Sequence, residues 1–465
     1  MMRFPVLRTC TALVAAVVLA SCGGGMTIAP PPSGNSAARG TVFVVGTDAP
    51  LGGVMAFKIT FSGLTASDGT NSVSLIGSPQ DVEFARLNGL RTLLALQSIP
   101  AGTYTSVTAT LASPVISVLD TTTTPPSIQM VNGTLTQSSV TVQLNQPIIV
   151  TDNGLVGLHM DFRLHNSIAV DANGDITGSV NPMIRFRAVP PDAPDAMIDE
   201  LRGGVVSVDL ASGSFVMQTP HGRNLTVTTN AQTQFEPGET LASLTTNSIV
   251  QVTGSLQRQS LTLLATEIQI LSDSRFFLGG LITDVRPASG SATAVDLLVR
   301  TEIPDLANFQ VGNIGTVPLD GNERYMIHHF RLPFSPWLFN DSSMTPGQRV
   351  TIGGTLDSSI TPPAIDARRV MLHRQGFVGG WVPGSTNVIN GNNGSFGFLA
   401  TGLTGRLLGG GPVVVHTSSL TRFINVGGLS GLTGSTPIPV RVVGLLLENP
   451  GGNPVIIAWA VEVLQ

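Results

Sequence analysis

The chain is poor in cysteine and in charged residues. Both cysteines, Cys10 and Cys22, lie near the start, so the sequence after residue 22 has no thiol for a disulfide, a zinc site or nucleophilic catalysis. Charged residues make up 11% of the chain, against about a quarter in ordinary soluble domains, and Lys58 is the only lysine. There is no basic run of the kind that accompanies nucleic-acid binding, so we expect no nucleic-acid partner.

Motifs of the common enzyme classes are also missing. The sequence has no Gly-x-Ser-x-Gly elbow, no His-Glu-x-x-His zinc helix, no cysteine pair for zinc and no phosphate-binding glycine loop. Catalytic triads are scattered along a sequence, so the missing motifs lower the expectation of an enzyme without removing it. We expect a protein without catalytic residues, cofactor or firmly bound metal.

Glycine (52 residues) and proline (31) are abundant instead. Together with many threonines and valines, they favour short strands joined by tight turns over long helices. Apolar and polar side chains alternate strictly from Met55 to Ser62, which predicts a half-buried strand. Strands are also predicted around 105–111, 138–144, 155–164, 167–170 and 183–189, and one short helix around 85–96. This region predicts an antiparallel β-sandwich.

The N-terminus has the pattern of a secretory signal. Arg3 and Arg8 precede an apolar run, residues 9–19, that is shorter than the ~20 residues a membrane-spanning helix needs. The segment Leu19–Cys22 resembles the lipobox of bacterial lipoproteins. That resemblance implies cleavage before Cys22, diacylglycerol on its thiol, and an acyl chain such as palmitate on the new amine. The alternative is an ordinary signal peptide in which Cys22 is incidental.

The lipoprotein hypothesis implies a location outside the cytoplasm. Loss of Arg3 and Arg8 with the signal changes the formal net charge from −5 to −7. Gly23, rather than aspartate, follows the cysteine, which favours the outer membrane by the sorting rule of enteric bacteria. Residues 23–39 are rich in glycine, proline and serine and contain no aromatic residue, so they predict a flexible tether.

The region after the tether resembles an uncharacterised bacterial domain family that follows lipoprotein signals. The resemblance is carried by the opening strand that ends in Thr47-Asp48-Ala49-Pro50, by the segment Ile99–Tyr104, and by the closing stretch from Asp161 to Pro182. The family has no known activity, so the resemblance implies a β-domain and nothing about chemistry.

Beyond the proline-rich segment at 190–194 the sequence repeats three times. Each repeat begins with a Gly-Gly pair, at residues 203, 279 and 379, and later has an apolar strand that ends on glycine, at Gly254, Gly354 and Gly444. Repeats of this size suit small closed barrels, which have no exposed sheet edges. They resemble a second uncharacterised family of tandem small β-domains. As separate barrels, each would bury its own core.

These features give one domain organisation and two hypotheses about function. We expect an all-β protein with a signal peptide at 1–21, a lipidated tether at 22–39, an antiparallel β-sandwich domain at 40–190, a linker at 191–202, and three tandem small β-barrel-like repeats at 203–271, 276–374 and 376–465. The favoured hypothesis is a membrane-anchored envelope lipoprotein that binds or scaffolds a polysaccharide or an envelope protein. The alternative is an extracytoplasmic hydrolase acting on envelope or environmental polymers.

Residues 171–175 have the oxygen-ligand spacing of a calcium loop. The candidate metal ligands are Asp171, Asn173 and Asp175. However, Ile176 stands where an EF-hand needs glycine, and no glutamate follows in register. Asn173-Gly174 between two short strands is also a strong hairpin signal, so a plain turn is the favoured interpretation.

Other polar candidates have simple structural explanations. Asp48 precedes Ala49-Pro50 and is expected to accept backbone hydrogen bonds in its own turn. Strand alternation would place His159, Asp161 and His165 on one face, as a metal or acid–base cluster or as a solvated polar row; the solvated row is favoured.

The aromatic residues concentrate in an insertion in the second repeat. Aromatic residues are 5% of the chain, and five of them fall within 323–339: Tyr325, Phe330, Phe334, Trp337 and Phe339. They form either a ligand surface that stacks on sugar rings or grips a partner, or a plug that covers the mouth of a barrel. The plug is favoured.

Overall fold

The computed structural model describes residues 38–464 except 49–53, 88–89, 121–126, 172–175, 237, 289, 305, 307–308, 328–337, 358–362, 402–404, 406 and 450–451. The described residues are mostly strands and belong to one compact unit, so the all-β prediction is confirmed. No helix among them has the length and apolar character to cross a membrane. The predicted signal peptide, Cys22 and nearly all of the tether lie outside the described residues.

The N-terminal region is a two-sheet sandwich. Its strands are β1 (Arg39–Asp48), β2 (Val54–Ser67), β3 (Ser72–Ser74), β4 (Gln80–Glu83), β5 (Thr92–Pro100), β6 (Gly102–Asp120), β7 (Ser127–Asn132), β8 (Thr134–Leu135), β9 (Ser139–Val150), β10 (Leu155–Phe162), β11 (Ile168–Val170), β12 (Ile176–Val180) and β13 (Ile184–Val189). Helix α1 spans Leu164–Ser167, and 3₁₀ turns span Ala85–Leu87 and Pro194–Ala196. One sheet has the order β13-β10-β1-β5. The other has the order β3-β2-β6-β7, with β4 beside β2 and β9 beside β6, and β11-β12-β8 form a small third sheet.

Two details of the sandwich differ from the prediction. Strand β1 pairs with β10 in parallel, so the sandwich is not purely antiparallel. The predicted helix at 85–96 is wrong: after the short 3₁₀ turn the chain forms β5, which pairs antiparallel with β1. Its helix-like apolar spacing is overridden because Leu93, Leu94 and Ala95 are all buried, on both faces of the strand.

Three units of similar topology follow the sandwich. The first contains β14 (Ile198–Asp209), β15 (Ser214–Gln218), β16 (Asn224–Thr228), β17 (Gln234–Phe235), β18 (Ile249–Leu256) and β19 (Leu263–Ser272). The second contains β20 (Phe276–Arg286), β21 (Ala294–Ile303), β22 (Ile314–Pro318), β23 (Arg324–Ile327), β24 (Arg349–Asp357) and β25 (Ala364–Leu372). The third contains β26 (Gln375–Trp381), β27 (Asn387–Asn390), β28 (Asn393–Ala400), β29 (Val413–Thr417), β30 (Arg422–Ile424), β31 (Ile438–Glu448) and β32 (Pro454–Val463). Short 3₁₀ turns span Leu241–Ser243, Asp341–Ser343 and Leu429–Gly431.

The strand pairings show how far each unit closes into a barrel. In the first unit the order is β16-β15-β14-β18-β19-β17, and parallel pairing of β16 with β19 closes the sheet. In the third unit the equivalent β29 pairs in parallel with β32, and β26 pairs with both β28 and β31. The second sheet runs β22-β21-β20-β24-β25-β23, and among its described residues no pairing of β22 with β25 closes it.

The hydrophobic cores cross the unit boundaries, contrary to the expectation of separate cores. On β1, Val42 and Val44 face the sandwich core, whereas Phe43 and Val45 pack into the core of the first barrel unit. The core of the second unit is likewise completed by residues from strands β31 and β32 of the third: Leu445, Leu447, Val455 and Ile457. The described units therefore pack as neighbours that share apolar strands.

Candidate functional site

The structure describes only part of the predicted calcium loop. Asp171 is exposed after β11, while Asn173 and Asp175 lie outside the described residues. Strands β11 and β12 pair antiparallel with Val170 opposite Ile176, as in a hairpin. Among the described residues, no group of three or more His, Cys, Asp or Glu side chains is arranged to hold a metal ion.

Asp48 makes a long-range contact. Its side chain is buried, and Oδ1 accepts a hydrogen bond at 3.3 Å from the backbone N–H of Leu164, at the start of α1. Residues 49–53, where contacts within its own turn would lie, are outside the described residues. This hydrogen bond connects the end of β1 with the start of α1.

The predicted row of three polar residues is only partly correct. His159 and Asp161 lie on the same face of β10, but the strand ends at Phe162 and His165 belongs to α1. Strand alternation therefore does not extend to His165, which is exposed.

Two of the five aromatic residues of the insertion are described, and both contribute to the core of the second unit. Phe339 is buried, and its ring contacts that of Tyr325 edge-on, with centroids 5.6 Å apart. The Tyr325 hydroxyl donates to Glu323 Oε2 at 3.4 Å, and burial raises its pKa. Phe330, Phe334 and Trp337 lie outside the described residues. Tyr325 and Phe339 therefore pack in the core of the second unit.

A groove in the sandwich is lined by strands β9, β10 and β13. This sandwich groove has a volume of about 1030 Å³. Strand β9 contributes Gln143, Asn145 and Gln146, β10 contributes His159 and Asp161, β13 contributes Arg185 and Arg187, and Asp195 follows β13. Its walls thus carry amide, carboxylate, imidazole and guanidinium groups above a floor that includes buried Phe186.

Charges around the sandwich groove are arranged in pairs. Arg187 Nη2 donates to Asp195 Oδ2 at 2.6 Å, and Arg91 Nη1 lies 3.9 Å from Asp195 Oδ1. Partial burial lowers the pKa of His159, and the charge of Arg187 adds to the shift. At neutral pH the His159 imidazole is therefore uncharged, with one nitrogen that donates and one that accepts hydrogen bonds.

A second cavity lies where the sandwich meets the first two barrel units. This junction cleft has a volume of about 820 Å³. Its charged lining residues are Lys58, Asp81, Glu83, Arg86, Arg275, Arg300 and Glu302. Its apolar wall includes Val205, Pro220 and Val311. A small inner pocket of about 50 Å³, lined by Arg86, Glu200 and Arg202 among others, adjoins it.

Behind the cleft, a buried ion-pair cluster centres on Glu200. Arg349 donates hydrogen bonds to both carboxylate oxygens of Glu200: Nη1 lies 3.1 Å from Oε1, and Nη2 contacts Oε2. Arg202 Nη2 donates to the same Oε2 at 3.3 Å, and its Nε donates to Gln251 at 2.9 Å. Desolvation lowers the pKa of Arg202 to about 9. Glu200 and Arg202 begin the first barrel unit and Arg349 begins β24, so the cluster joins two units.

The carboxylates of the junction cleft are all engaged by the protein. Glu83 accepts hydrogen bonds from the backbone N–H groups of Phe57, Ala85 and Arg86, each at 2.9 to 3.0 Å. Asp81 accepts from Thr60 and pairs with Lys58. Glu302 accepts from the N–H of Leu306 at 3.0 Å.

Sequence reasoning did not find the junction cleft. Its arginines are up to 214 positions apart, from Arg86 to Arg300, so no local motif joins them. One signal was available: Arg202, Arg349 and Arg369 are arginines within strongly apolar strands, and all three are buried. A buried charge requires a partner, which predicts contact with acidic residues elsewhere.

Two family models match the chain, and both are described as domains of unknown function. The first, DUF4382, matches residues 39–177, and the second, DUF5666, matches residues 202–269. The matches fall on the sandwich and on the first barrel unit, so the chain contains two kinds of uncharacterised domain. No curated protein matches the chain.

A solved structure described as "drosophila Unr CSD456" aligns with the chain. The two sequences are 10% identical, and the alignment covers 57% of this chain and 97% of the other, with a TM-score of 0.14. At that score the likeness carries no argument about fold or function.

Proposed function

We propose that the protein is a lipid-anchored binding protein of the bacterial envelope. Cys22 carries the lipid, residues 23–39 provide reach, and the β-units form the binding arm at the outer membrane. The proposal for the anchor rests on the signal pattern and on the lipobox-like segment Leu19–Cys22. The proposal for binding rests on the sandwich groove.

The ligand we propose for the sandwich groove is a segment of envelope polysaccharide. Sugar hydroxyls both donate and accept, and the groove offers donors and acceptors side by side in Gln143, Asn145 and Asp161. The neutral imidazole of His159 adds one of each. Because Arg187 and Asp195 pair with each other, much of the local charge is internally compensated, which suits an uncharged polar ligand.

The structural roles of the cleft carboxylates support binding over hydrolysis. A glycosidase needs two carboxylates free to donate a proton and to attack or activate water. In the junction cleft, Glu83, Asp81 and Glu302 are each held by hydrogen bonds or an ion pair of the protein itself. In the sandwich groove, Asp195 is paired with Arg187.

Co-sedimentation with purified peptidoglycan sacculi tests the groove. We expect the full chain to sediment with sacculi and the double variant Gln143→Ala, Asn145→Ala to lose at least ~10-fold in affinity, as two ligand hydrogen bonds are removed. Gln129→Ala is the matched control, because Gln129 is an exposed amide on β7 outside the groove. Equal sedimentation of the double variant and the wild type would refute the groove as the site, and capture of an envelope protein there instead would refute the polysaccharide.

Metabolic labelling with a fatty-acid probe tests the anchor separately. We expect the wild type to take up label and to require detergent for release from membranes. Cys22→Ala should remove the label, because the thiol is the lipidated atom. Label that persists on Cys22→Ala would refute the lipid attachment and leave the groove hypothesis standing.

A further inference from the structure

One arginine of the junction cleft, Arg86, interacts with the charges of Glu83 and Glu200 but forms no ion pair with either. The Arg86 side chain lies in the cleft, half-buried, and lines the inner pocket as well. Within the described part of the chain its guanidinium makes no hydrogen bond or ion pair. A guanidinium has five N–H donors in a planar fork that matches an oxyanion.

The charges around Arg86 leave an excess of positive charge. Four arginines interact electrostatically here, Arg86, Arg202, Arg300 and Arg349, and two glutamates oppose them, Glu83 and Glu200. Asp48 also acts on Arg300, and Glu267, Glu200 and Asp199 oppose the charge of Arg374. Among the four arginines and two glutamates, positive charges exceed negative ones by two. Burial also raises the pKa of Glu83, so Glu83 neutralises less of the positive charge of the arginines.

The neighbouring arginines are held by the protein, so Arg86 is the group available to a ligand. Arg300 donates through Nε and Nη2 to the Met55 carbonyl at 3.0 and 2.6 Å. Arg349 is bound to Glu200 and Arg202 to both Glu200 and Gln251. These contacts hold the arginine side chains at the inner end of the cleft in place. Ligand binding therefore costs less side-chain entropy than it would if these arginines had to be ordered by the ligand.

We propose that the junction cleft binds a small anionic molecule whose oxyanion group, a carboxylate, sulfate or phosphate, is held by Arg86. The rest of the molecule lies against the apolar wall formed by Val205, Pro220 and Val311. The volume of about 820 Å³ suits a ligand larger than an inorganic ion. The site is formed jointly by the sandwich and the first two barrel units, and it does not depend on ligand binding in the sandwich groove.

Calorimetric titration of the full chain in detergent, at constant ionic strength, tests this site. The probes are sodium phosphate, sodium sulfate and sodium glucuronate, with glucose as the neutral control. We expect at least one oxyanion to bind and glucose not to bind. Arg86→Gln should weaken oxyanion binding by at least ~10-fold, and Arg86→Lys, which keeps the charge but loses the fork, by less. Arg258→Gln is the matched control, since Arg258 lies outside the cleft and pairs with Asp192 on the surface.

A thermal melt without added anion gives an independent readout. Because the Arg86 guanidinium makes no hydrogen bond or ion pair among the described residues, and its desolvation disfavours the charged form, Arg86→Gln should melt at or above the wild-type temperature. The proposal is overturned when no oxyanion binds more tightly than glucose, or when Arg86→Gln binds the oxyanion as the wild type does. A lower melting temperature for Arg86→Gln would show that Arg86 stabilises the fold, and would contradict the charge excess.

Discussion

At the scale of single residues, Glu236 shows how burial changes the chemistry of a carboxyl group. Within the described residues neither of its oxygens has a hydrogen-bond partner, and the side chain is almost fully buried. Arg369 Nη1 lies 3.8 Å from Oε2 but donates instead to Glu239 and to the Ile270 carbonyl. Desolvation, followed by the charge of Glu239, raises the pKa of Glu236 to about 8.

This raised pKa predicts a pH-dependent stability. From pH 4.5 to about 8 the folded chain holds a proton on Glu236 that the unfolded chain has lost, so the free energy of unfolding falls as pH rises. The amide that replaces the carboxyl group in the Glu236→Gln variant cannot ionise. The free energy of unfolding of this variant, relative to the wild type, should therefore be higher at pH 9 than at pH 5 by a few kcal/mol, since each pH unit between the two pKa values corresponds to about 1.4 kcal/mol. Denaturant melts at both pH values measure this.

The control for Glu236 is an exposed carboxyl group. Asp284→Asn replaces a carboxylate that is 42% exposed and lies 4.0 Å from Arg286, so it controls for the loss of a surface charge that contributes little to stability. A Glu236→Gln advantage that is the same at pH 5 and pH 9 would disprove the raised pKa.

At the scale of the strand, the repeated glycines mark the sites of closest backbone approach. The Val-x-Val-x-Gly pattern predicted a strand that ends on glycine, but β18, β24 and β31 continue beyond it. At each of these glycines the register with the following strand shifts, at Thr253/Gly254, Gly353/Gly354 and Val443/Gly444. A Cβ there would lie 2.1 to 2.3 Å from a carbonyl oxygen of the neighbouring strand. The glycines therefore permit a bulge that bends the strand, and a bend of this kind helps a small sheet to curve towards closure.

The Gly-Gly pairs at the start of the first and third units provide a matched experiment. A Cβ on Gly203 would lie 2.3 Å from the Gln218 carbonyl oxygen, whereas a Cβ on Gly204 meets nothing within 4 Å. Gly203→Ala should therefore destabilise the protein by about 1–3 kcal/mol, because backbone must move. Gly204→Ala should be neutral or slightly stabilising, since alanine restricts the unfolded chain.

The third unit repeats the comparison. A Cβ on Gly379 would lie 2.2 Å from the Leu399 carbonyl oxygen, and a Cβ on Gly380 would have its nearest neighbour at 3.6 Å. Denaturant melts of the four single variants should show a loss of stability for Gly203→Ala and Gly379→Ala. Gly204→Ala and Gly380→Ala should have nearly the stability of the wild type. Equal costs within each pair would contradict the close-approach explanation.

At the scale of the whole molecule, local patterns predicted the strands but not their partners. Alternation found β2 because one face of that strand is polar, and the glycine pattern found the three repeats. The parallel pairing of β1 with β10 joins positions as distant in sequence as Thr41 and Leu155, so it leaves no local signal. The same is true of the junction cleft, which depends on three units packing together.

One pattern in the sequence does indicate contacts between distant parts of the chain. Three strand segments are apolar at consecutive positions, whereas a strand with one solvent-exposed face would alternate apolar and polar residues. They are Val42-Phe43-Val44-Val45, Phe276-Phe277-Leu278 and Leu445-Leu446-Leu447. In each run neighbouring residues belong to different cores: Phe43 and Val44 do, as do Leu445 and Leu446. Such runs predict strands covered on both faces, and therefore contacts between units.

Shared cores predict that the described units unfold together. The tryptophans lie at 337, 381 and 459, so tryptophan fluorescence reports mainly on the C-terminal part of the chain, where Trp381 is buried and donates to Thr386 at 2.8 Å. Far-UV circular dichroism reports on strands throughout. We expect the two signals to give coincident denaturant curves, which is the usual sign of a single transition.

Phe43→Ala makes the test decisive. Phe43 lies in the sandwich but is buried in the core of the first barrel unit, so its truncation should cost ~3–5 kcal/mol. If unfolding is cooperative across the units, this change shifts the tryptophan transition, although no tryptophan lies in either of those regions. Ile149→Ala, at an exposed position on β9, is the control and should shift neither signal. A Phe43→Ala curve in which the circular dichroism transition shifts and the fluorescence transition does not would mean that the tryptophan-containing second and third units unfold independently of the sandwich and the first unit.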